Sequence, residues 1–194
     1  PEVNAEDLKW HKGIIANPNC STIQAAIILK PLHEKYKLKR VVYSTYQAVS
    51  GAGKKGIDDL ILTSNKKKAE KFTYPIYNNI LPHIDQFLNN GYTKEEMKMI
   101  NETRKILEIP DLKITATAAR VPIVNCHSES INIEFEKDFD IDELKQLLSK
   151  SEGIVVLDDI SKNIYPLNTF ADGKDEVFVG RIRRDYSLKS GINI

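Results

Sequence analysis

Cys20 stands in the run Asn17-Pro18-Asn19-Cys20-Ser21-Thr22, where a proline-constrained turn leads into an apolar, helix-like stretch from Ile23 to Leu29. That spacing predicts a thiol at a helix N-terminus, where unpaired amides and the positive end of the helix dipole favour a thiolate. Such a cysteine can attack a carbonyl and form a thioester, with nearby amide hydrogens ready for the developing oxyanion. A buried structural thiol is the alternative reading, and the motif alone does not separate the two.

Other polar groups could join the cysteine. His127, in Asn125-Cys126-His127-Ser128-Glu129-Ser130, is placed to be a general base that later returns the proton to substrate oxygen, or else a satisfied strand-end histidine. His11, His33 and His83 have no ligand-like spacing, so no metal site is expected. Glu102 and Lys105, three apart on a predicted helix, share a face: a surface ion pair, or one charge each for a substrate. The Arg120 fork suits a carboxylate bidentately if it is not simply solvated. Gln47, after a strand, could donate to a thioester, and Gly51 and Gly53 would allow close backbone approach by a ligand. Cys126 reads as a small buried strand residue.

The elements that must hold these groups follow from periodicity and turn chemistry. Gly13 to Ala16 reads as a short buried strand feeding the Asn-Pro-Asn turn. The helix after Cys20 meets Pro31, which is expected to kink or end it. A strand over 38–46 is followed by Ser50-Gly51-Ala52-Gly53 and a helix through Ile57, Leu60 and Ile61. Residues 66–91 look irregular. Thr93-Lys94-Glu95-Glu96 forms a capping box opening a helix through Met97, Ile100 and Leu107. Strands over 112–120 and 125–136, a helix begun by Asp140 and Glu143, and strand-like runs at 154–157 and 177–183 complete the pattern. The elements show no regular βαβ alternation and no repeat. The fold class expected is therefore α+β, a mixed, largely antiparallel sheet covered by helices.

The chain of 194 residues has 28 basic and 27 acidic residues, which argues against a nucleic-acid surface; Lys66-Lys67-Lys68 reads as a solvated basic run. Two cysteines make no disulfide framework, so a reducing, cytoplasmic setting is expected. No stretch is long enough to span a membrane. The acidic opening, Pro1 to Asp7, lacks the apolar core of a signal peptide, and both ends read as cuts from a longer protein.

Five ordered blocks together resemble the aspartate-semialdehyde dehydrogenases. They are 17–22, Ser44-Thr45-Tyr46-Gln47-Ala48-Val49-Ser50-Gly51-Ala52-Gly53, Glu102-Thr103-Arg104-Lys105, Arg120-Val121-Pro122 with His127-Ser128-Glu129-Ser130, and Phe178-Val179-Gly180-Arg181-Ile182-Arg183. The resemblance covers essentially the whole chain. It implies Cys20 as nucleophile and His127 as acid–base residue. It implies a substrate-binding set of Asn19, Gln47 on the acyl group, Arg120 on the carboxylate, Glu102 facing the amino group and Lys105 on phosphate. Ser50 and Gly51 would touch an NADP cofactor.

The reaction so implied interconverts L-aspartyl-β-phosphate and L-aspartate-β-semialdehyde through a cysteine thioester, with hydride from NADPH, in biosynthesis of the aspartate family of amino acids. Residues 1–194 would be the catalytic and dimerisation domain, of the kind that forms the C-terminal domain of glyceraldehyde-phosphate dehydrogenases, forming a homodimer. The glycine-rich dinucleotide-binding domain and the final helix of the family are absent from the sequence, so the chain alone is expected to lack reductase turnover. Two other readings are a non-catalytic dimerisation module and the related N-acetylglutamyl-phosphate reductase; the Ser-Thr-Tyr-Gln run and the Glu102/Lys105 pair fit the aspartyl enzyme better. A thiol hydrolase fits less well, because no Asn or Asp partner for His127 is evident.

Overall fold

A β-bulge between Leu38 and Arg40 sets the phase of the central strand, β1 (Leu38–Gln47). Beyond it Val41, Tyr43, Thr45 and Gln47 turn inward and are buried, while Val42, Ser44 and Tyr46 face the other way. This period of two is the strand geometry itself, and the β-branched Val41, Val42 and Thr45 suit it. β2 (Lys113–Arg120) runs parallel to β1 along its whole length, and β3 (Ser128–Phe135) lies antiparallel on the other side. β4 (Ile154–Val156) and β5 (Val177–Val179) form a separate two-stranded parallel ribbon. β6 (Arg183–Arg184) and β7 (Gly191–Asn193) complete a five-stranded sheet in the order β2-β1-β3-β7-β6. This computed structural model describes residues 2–194, and it has the expected α+β class with a mostly antiparallel sheet.

The inward face is covered by α1 (Cys20–Tyr36) and, after α2 (Lys54–Ser64), by α3 (Lys94–Ile106). α4 (Ile141–Ser149) packs against α1 and β4, and a short α5 (Asn168–Ala171) precedes β5. Leu29, Leu32, Met99, Leu144 and Leu148 meet Val41, Tyr43, Ile133 and Ile192 in one buried core. Truncating any of these leucines to alanine would cost about 2–5 kcal/mol. A smaller cluster of Val49, Ile76 and Leu81 sits beside Ile57 and Leu60 of α2. There the buried Asp59 accepts the backbone N–H groups of Glu70, Lys71 and Phe72, which pins the irregular stretch to the helix.

Local signals in the sequence recur in the structure, with four departures. The capping box is complete, Glu96 N donating to Thr93 Oγ1 and Thr93 N to the Glu96 carboxylate. Asp140 caps α4 through the amides of Asp142 and Glu143. Pro31, however, does not end α1. The helix loses the N–H that would bond to Ile27, yet continues because Leu32 and Tyr36 are buried beyond it, Tyr36 against Phe135 and Phe139. Residues 13–16 form no strand: Ile14 is 89% exposed and has no neighbouring strand to pair with among the described residues. The run 177–183 divides into β5 and β6, in different sheets, because Arg181 adopts a left-handed conformation (φ 56°) that breaks an extended chain. Cys126 is not a buried strand residue either. It is half-buried, left-handed (φ 66°), and delays the start of β3 to Ser128.

The topology has one consequence for chemistry. Parallel pairing brings the C-terminal residues Gln47 and Arg120 side by side, and antiparallel pairing sets Ser128 opposite Tyr46. The ends of β1 and β2 and the beginning of β3 therefore share one edge of the sheet.

Candidate active site

Asn19 organises the turn that presents Cys20. As the N-cap of α1 its Oδ1 accepts from the amides of Ser21 (3.0 Å) and Thr22 (3.4 Å), satisfying two of the donors a helix leaves open. Its other polar groups reach α3: Asn19 Nδ2 donates to Glu95 Oε1 at 2.8 Å, and Asn19 N to Glu102 Oε2 at 2.6 Å. Cys20 then occupies the first position of the helix, exposed at the rim of a cavity of about 540 Å³ that it lines with His127.

The environment of the thiol differs from the motif's promise. Packing around the sulfur and the nearby Glu95 carboxylate push the Cys20 pKa up, against the pull of the Ser21 and Cys20 amides and of Arg120. The N-terminal amides alone thus do not make a resting thiolate, because burial and an anion outweigh them.

Arg120 and His127 share an anchor. Arg120 Nη1 donates to Ala48 O at 2.7 Å, and Ala48 N donates to His127 Nδ1 at 3.1 Å. Because Nδ1 accepts, the neutral imidazole carries its proton on Nε2. Burial and the neighbouring Arg120 depress the His127 pKa to about 4, so the ring is neutral at pH 7. Arg120 is only 5% exposed, and its Nε is buried without a hydrogen-bond partner. Gly51 closes this corner. A Cβ placed there would lie 2.9 Å from Arg120 Nη1 and 3.1 Å from His127 Nε2. The 3₁₀ turn carrying Ser50 and Gly51 (Val49–Ala52) is strapped to the loop before His127 by Val49 N to Ile123 O and Ser50 N to Val124 O.

Gln47 is the buried last residue of β1 and not a loop residue. Its Nε2 reaches Glu95 Oε1 at 3.2 Å and Thr45 Oγ1 at 3.4 Å. Glu102 and Lys105 line a second cavity, of about 670 Å³, on the other flank of the Cys20 turn beside Pro18 and Ile106. The structure therefore gathers Cys20, Asn19, Gln47, Arg120, His127 and Gly51 closely, and sets Lys105 apart, exposed on that flank.

Sequence reasoning missed Glu95. It lies inside the capping box but caps nothing; it links Asn19 to Gln47, and its charge acts on Cys20, Arg120 and His127. Its separation of seven from Glu102, two helical turns on one face, was the available signal. Ala48 was invisible for a plainer reason, since it acts only through its backbone.

A family profile described as "Semialdehyde dehydrogenase, dimerisation domain" matches residues 29–194. The aspartate-semialdehyde dehydrogenase of Aquifex aeolicus is 50% identical over all of this chain, and that of Bacillus subtilis 47%. The chain spans 60% of the length of each of these relatives. A crystal structure of aspartate semialdehyde dehydrogenase II from Vibrio cholerae, complexed with ASA, is 42% identical; it matches 100% of this chain and 59% of its own, with a TM-score of 0.93. The enzyme from Candida albicans, solved with NADP, is 27% identical, with 99% of this chain and 55% of its own covered and a TM-score of 0.68. The chain belongs to the semialdehyde dehydrogenase family, as its dimerisation domain, and its relatives are aspartate-semialdehyde dehydrogenases.

Proposed function

We propose that the full-length protein interconverts L-aspartyl-β-phosphate and L-aspartate-β-semialdehyde through a thioester on Cys20, using NADP, and that this chain is its catalytic and dimerisation part. The observation that carries this reading is the buried Arg120 with an unspent Nε donor beside an exposed thiol at a helix N-terminus. A buried cation with a free donor calls for an anionic ligand, and a carboxylate matches its fork.

In the biosynthetic direction the Cys20 sulfur bonds to the β-carbonyl carbon, the carbon–oxygen bond to phosphate breaks, and the thiol proton leaves on the phosphate. Arg120 holds the α-carboxylate and Glu102 the amino group, so only the β-carbonyl meets the sulfur. Gln47 borders the acyl group. Lys105 attracts phosphate from the neighbouring flank. His127 serves as a donor: its Nε2–H stabilises the charge growing on the carbonyl oxygen and can pass a proton to it when the thioester becomes a hemithioacetal. NADP, when bound, supplies or accepts the hydride. Ser50 and Gly51 would border it, Gly51 as a glycine because Arg120 and His127 already fill the space a side chain would need.

The dinucleotide-binding domain belongs to the part of the parent outside this chain, and the chain alone is inactive as a reductase. A second copy docks on the outward face of the sheet, where Val42, Ser44, Tyr46, Thr117 and Ser130 stand half-buried or exposed. The full-length protein incubated with aspartyl-β-phosphate in the absence of NADPH tests the scheme. An aspartyl adduct is expected on the Cys20 peptide by mass spectrometry, and none in Cys20→Ser. An adduct elsewhere, or equal labelling by N-acetylglutamyl phosphate, overturns it.

A further inference from the structure

Along β3 the inward residues are Glu129, Ile131, Ile133 and Phe135, so one carboxyl interrupts an otherwise apolar row. Glu129 lies opposite Thr45 of β1, beneath the first turn of α1. Its Oε1 accepts from Gln24 Nε2 at 2.6 Å, and Gln24 is one helical turn beyond Cys20. Its Oε2 and the hydroxyl of Ser21, the residue after Cys20, are both buried and neither has a hydrogen-bond partner among the described residues. Ser21 stands near enough to favour the ionised carboxyl by hydrogen bonding, yet burial prevails and raises the Glu129 pKa to about 8. An apolar residue would fill this site at lower cost, since a buried carboxyl pays in desolvation for what it does not recover in hydrogen bonds.

We propose that Glu129 is a positioning residue for the cysteine: it ties the turn that begins with Cys20 to the strand that begins beside His127. Ser21 and Gln24 follow the nucleophile in the first turn of α1, and Glu129 itself stands two residues beyond His127 on the strand side. The carboxyl therefore holds the sulfur and the imidazole at a constant spacing without touching substrate. This inference rests on the reading of Cys20 and His127 as the reacting pair.

Glu129→Ala, Glu129→Gln and Gln24→Leu in the full-length protein test it, with kcat, KM and the rate of Cys20 alkylation by iodoacetamide measured for each. Loosening a reacting group by a fraction of an ångström is expected to lower kcat by about 10-fold or more in Glu129→Ala, with KM within about 2-fold. Glu129→Gln should recover to within about 3-fold of the wild type, because an amide still accepts from Gln24 and offers Ser21 a donor. Gln24→Leu cuts the same tie from the helix and should follow Glu129→Ala; it also decides the matter if Glu129→Ala does not fold. Wild-type kcat in a folded Glu129→Ala or Gln24→Leu, or a Glu129→Gln as impaired as the alanine variant, overturns the proposal. Absence of turnover in the wild type refutes the enzymatic reading instead. Alkylation then still decides on Glu129: slower labelling of Cys20 in Glu129→Ala with recovery in Glu129→Gln supports the tie, and unchanged labelling refutes it.

Discussion

Replacing Gly51 by alanine tests how closely Arg120 and His127 are held. The new Cβ would stand 2.9 Å from Arg120 Nη1, 3.0 Å from His127 Cε1 and 3.1 Å from His127 Nε2. Ordinary contacts of this kind lie near 3.5–4.0 Å, so each neighbour has to give roughly half an ångström. Neither can retreat freely, since Nη1 is held by Ala48 O and the far side of the ring by Ala48 N. A misplacement of about 1 Å costs on the order of 100-fold in rate, so half of that predicts a loss in kcat/KM of roughly 10-fold, or about 1.4 kcal/mol. The same crowding costs roughly 1–3 kcal/mol of stability, which a smaller unfolded-state gain offsets only in part. Gly51 is absent from the residues with positive φ, and alanine there reduces the entropy of the unfolded chain, worth about 0.4–1 kcal/mol. The assay is NADPH formation from semialdehyde and phosphate by the full-length protein, alongside calorimetric Tm. Wild-type kcat/KM with an unchanged Tm in Gly51→Ala would refute the geometry.

Three further outcomes follow from the same contacts. Glu95→Gln keeps an acceptor for Asn19 and Gln47 but removes the anion that raises the thiol pKa, so the midpoint of Cys20 alkylation against pH should move down; an upward or absent shift counts against it. Asn19→Ala deletes the cap of α1 and should lower stability in urea unfolding by about 1–2 kcal/mol, more than a surface change would. Glu129 binds its proton more tightly folded than unfolded, so between about pH 4.5 and 8 the native state holds the extra proton and rising pH costs stability. Glu129→Gln should therefore gain on the wild type as pH rises through that window, by at most ~1.4 kcal/mol per pH unit, and a constant difference would argue against the raised pKa.

The elements most legible in the sequence were those specified by near neighbours. Thr93 and Glu96 find each other within one turn, and Asp140 caps the helix that begins beside it. Pro31 did not end α1 because the propensity penalty is local, while burial of Leu32 and Tyr36 in the core offsets it. Ile14 and Ile15 misled in the opposite sense: an apolar run predicts burial, but burial needs a partner surface. Among candidate site residues, the motifs singled out Cys20 and His127 without settling the role of either, whereas Glu95 looked like part of a cap.

By itself the sequence determined which groups were available: a cysteine behind an N-capping asparagine, a histidine ahead of a strand, and an arginine ending another. It also determined the strands that carry them, because alternation of buried and exposed side chains is a property of the chain. The charge states were decided only by tertiary structure. Glu95 meets Asn19 across 76 residues and Gln47 across 48, and His127 receives its hydrogen bond from Ala48 across 79. Thiol and imidazole pKa values depend on what surrounds each group in space, so a helix N-terminus that promised a thiolate has its thiol pKa pushed up, and the imidazole is held neutral.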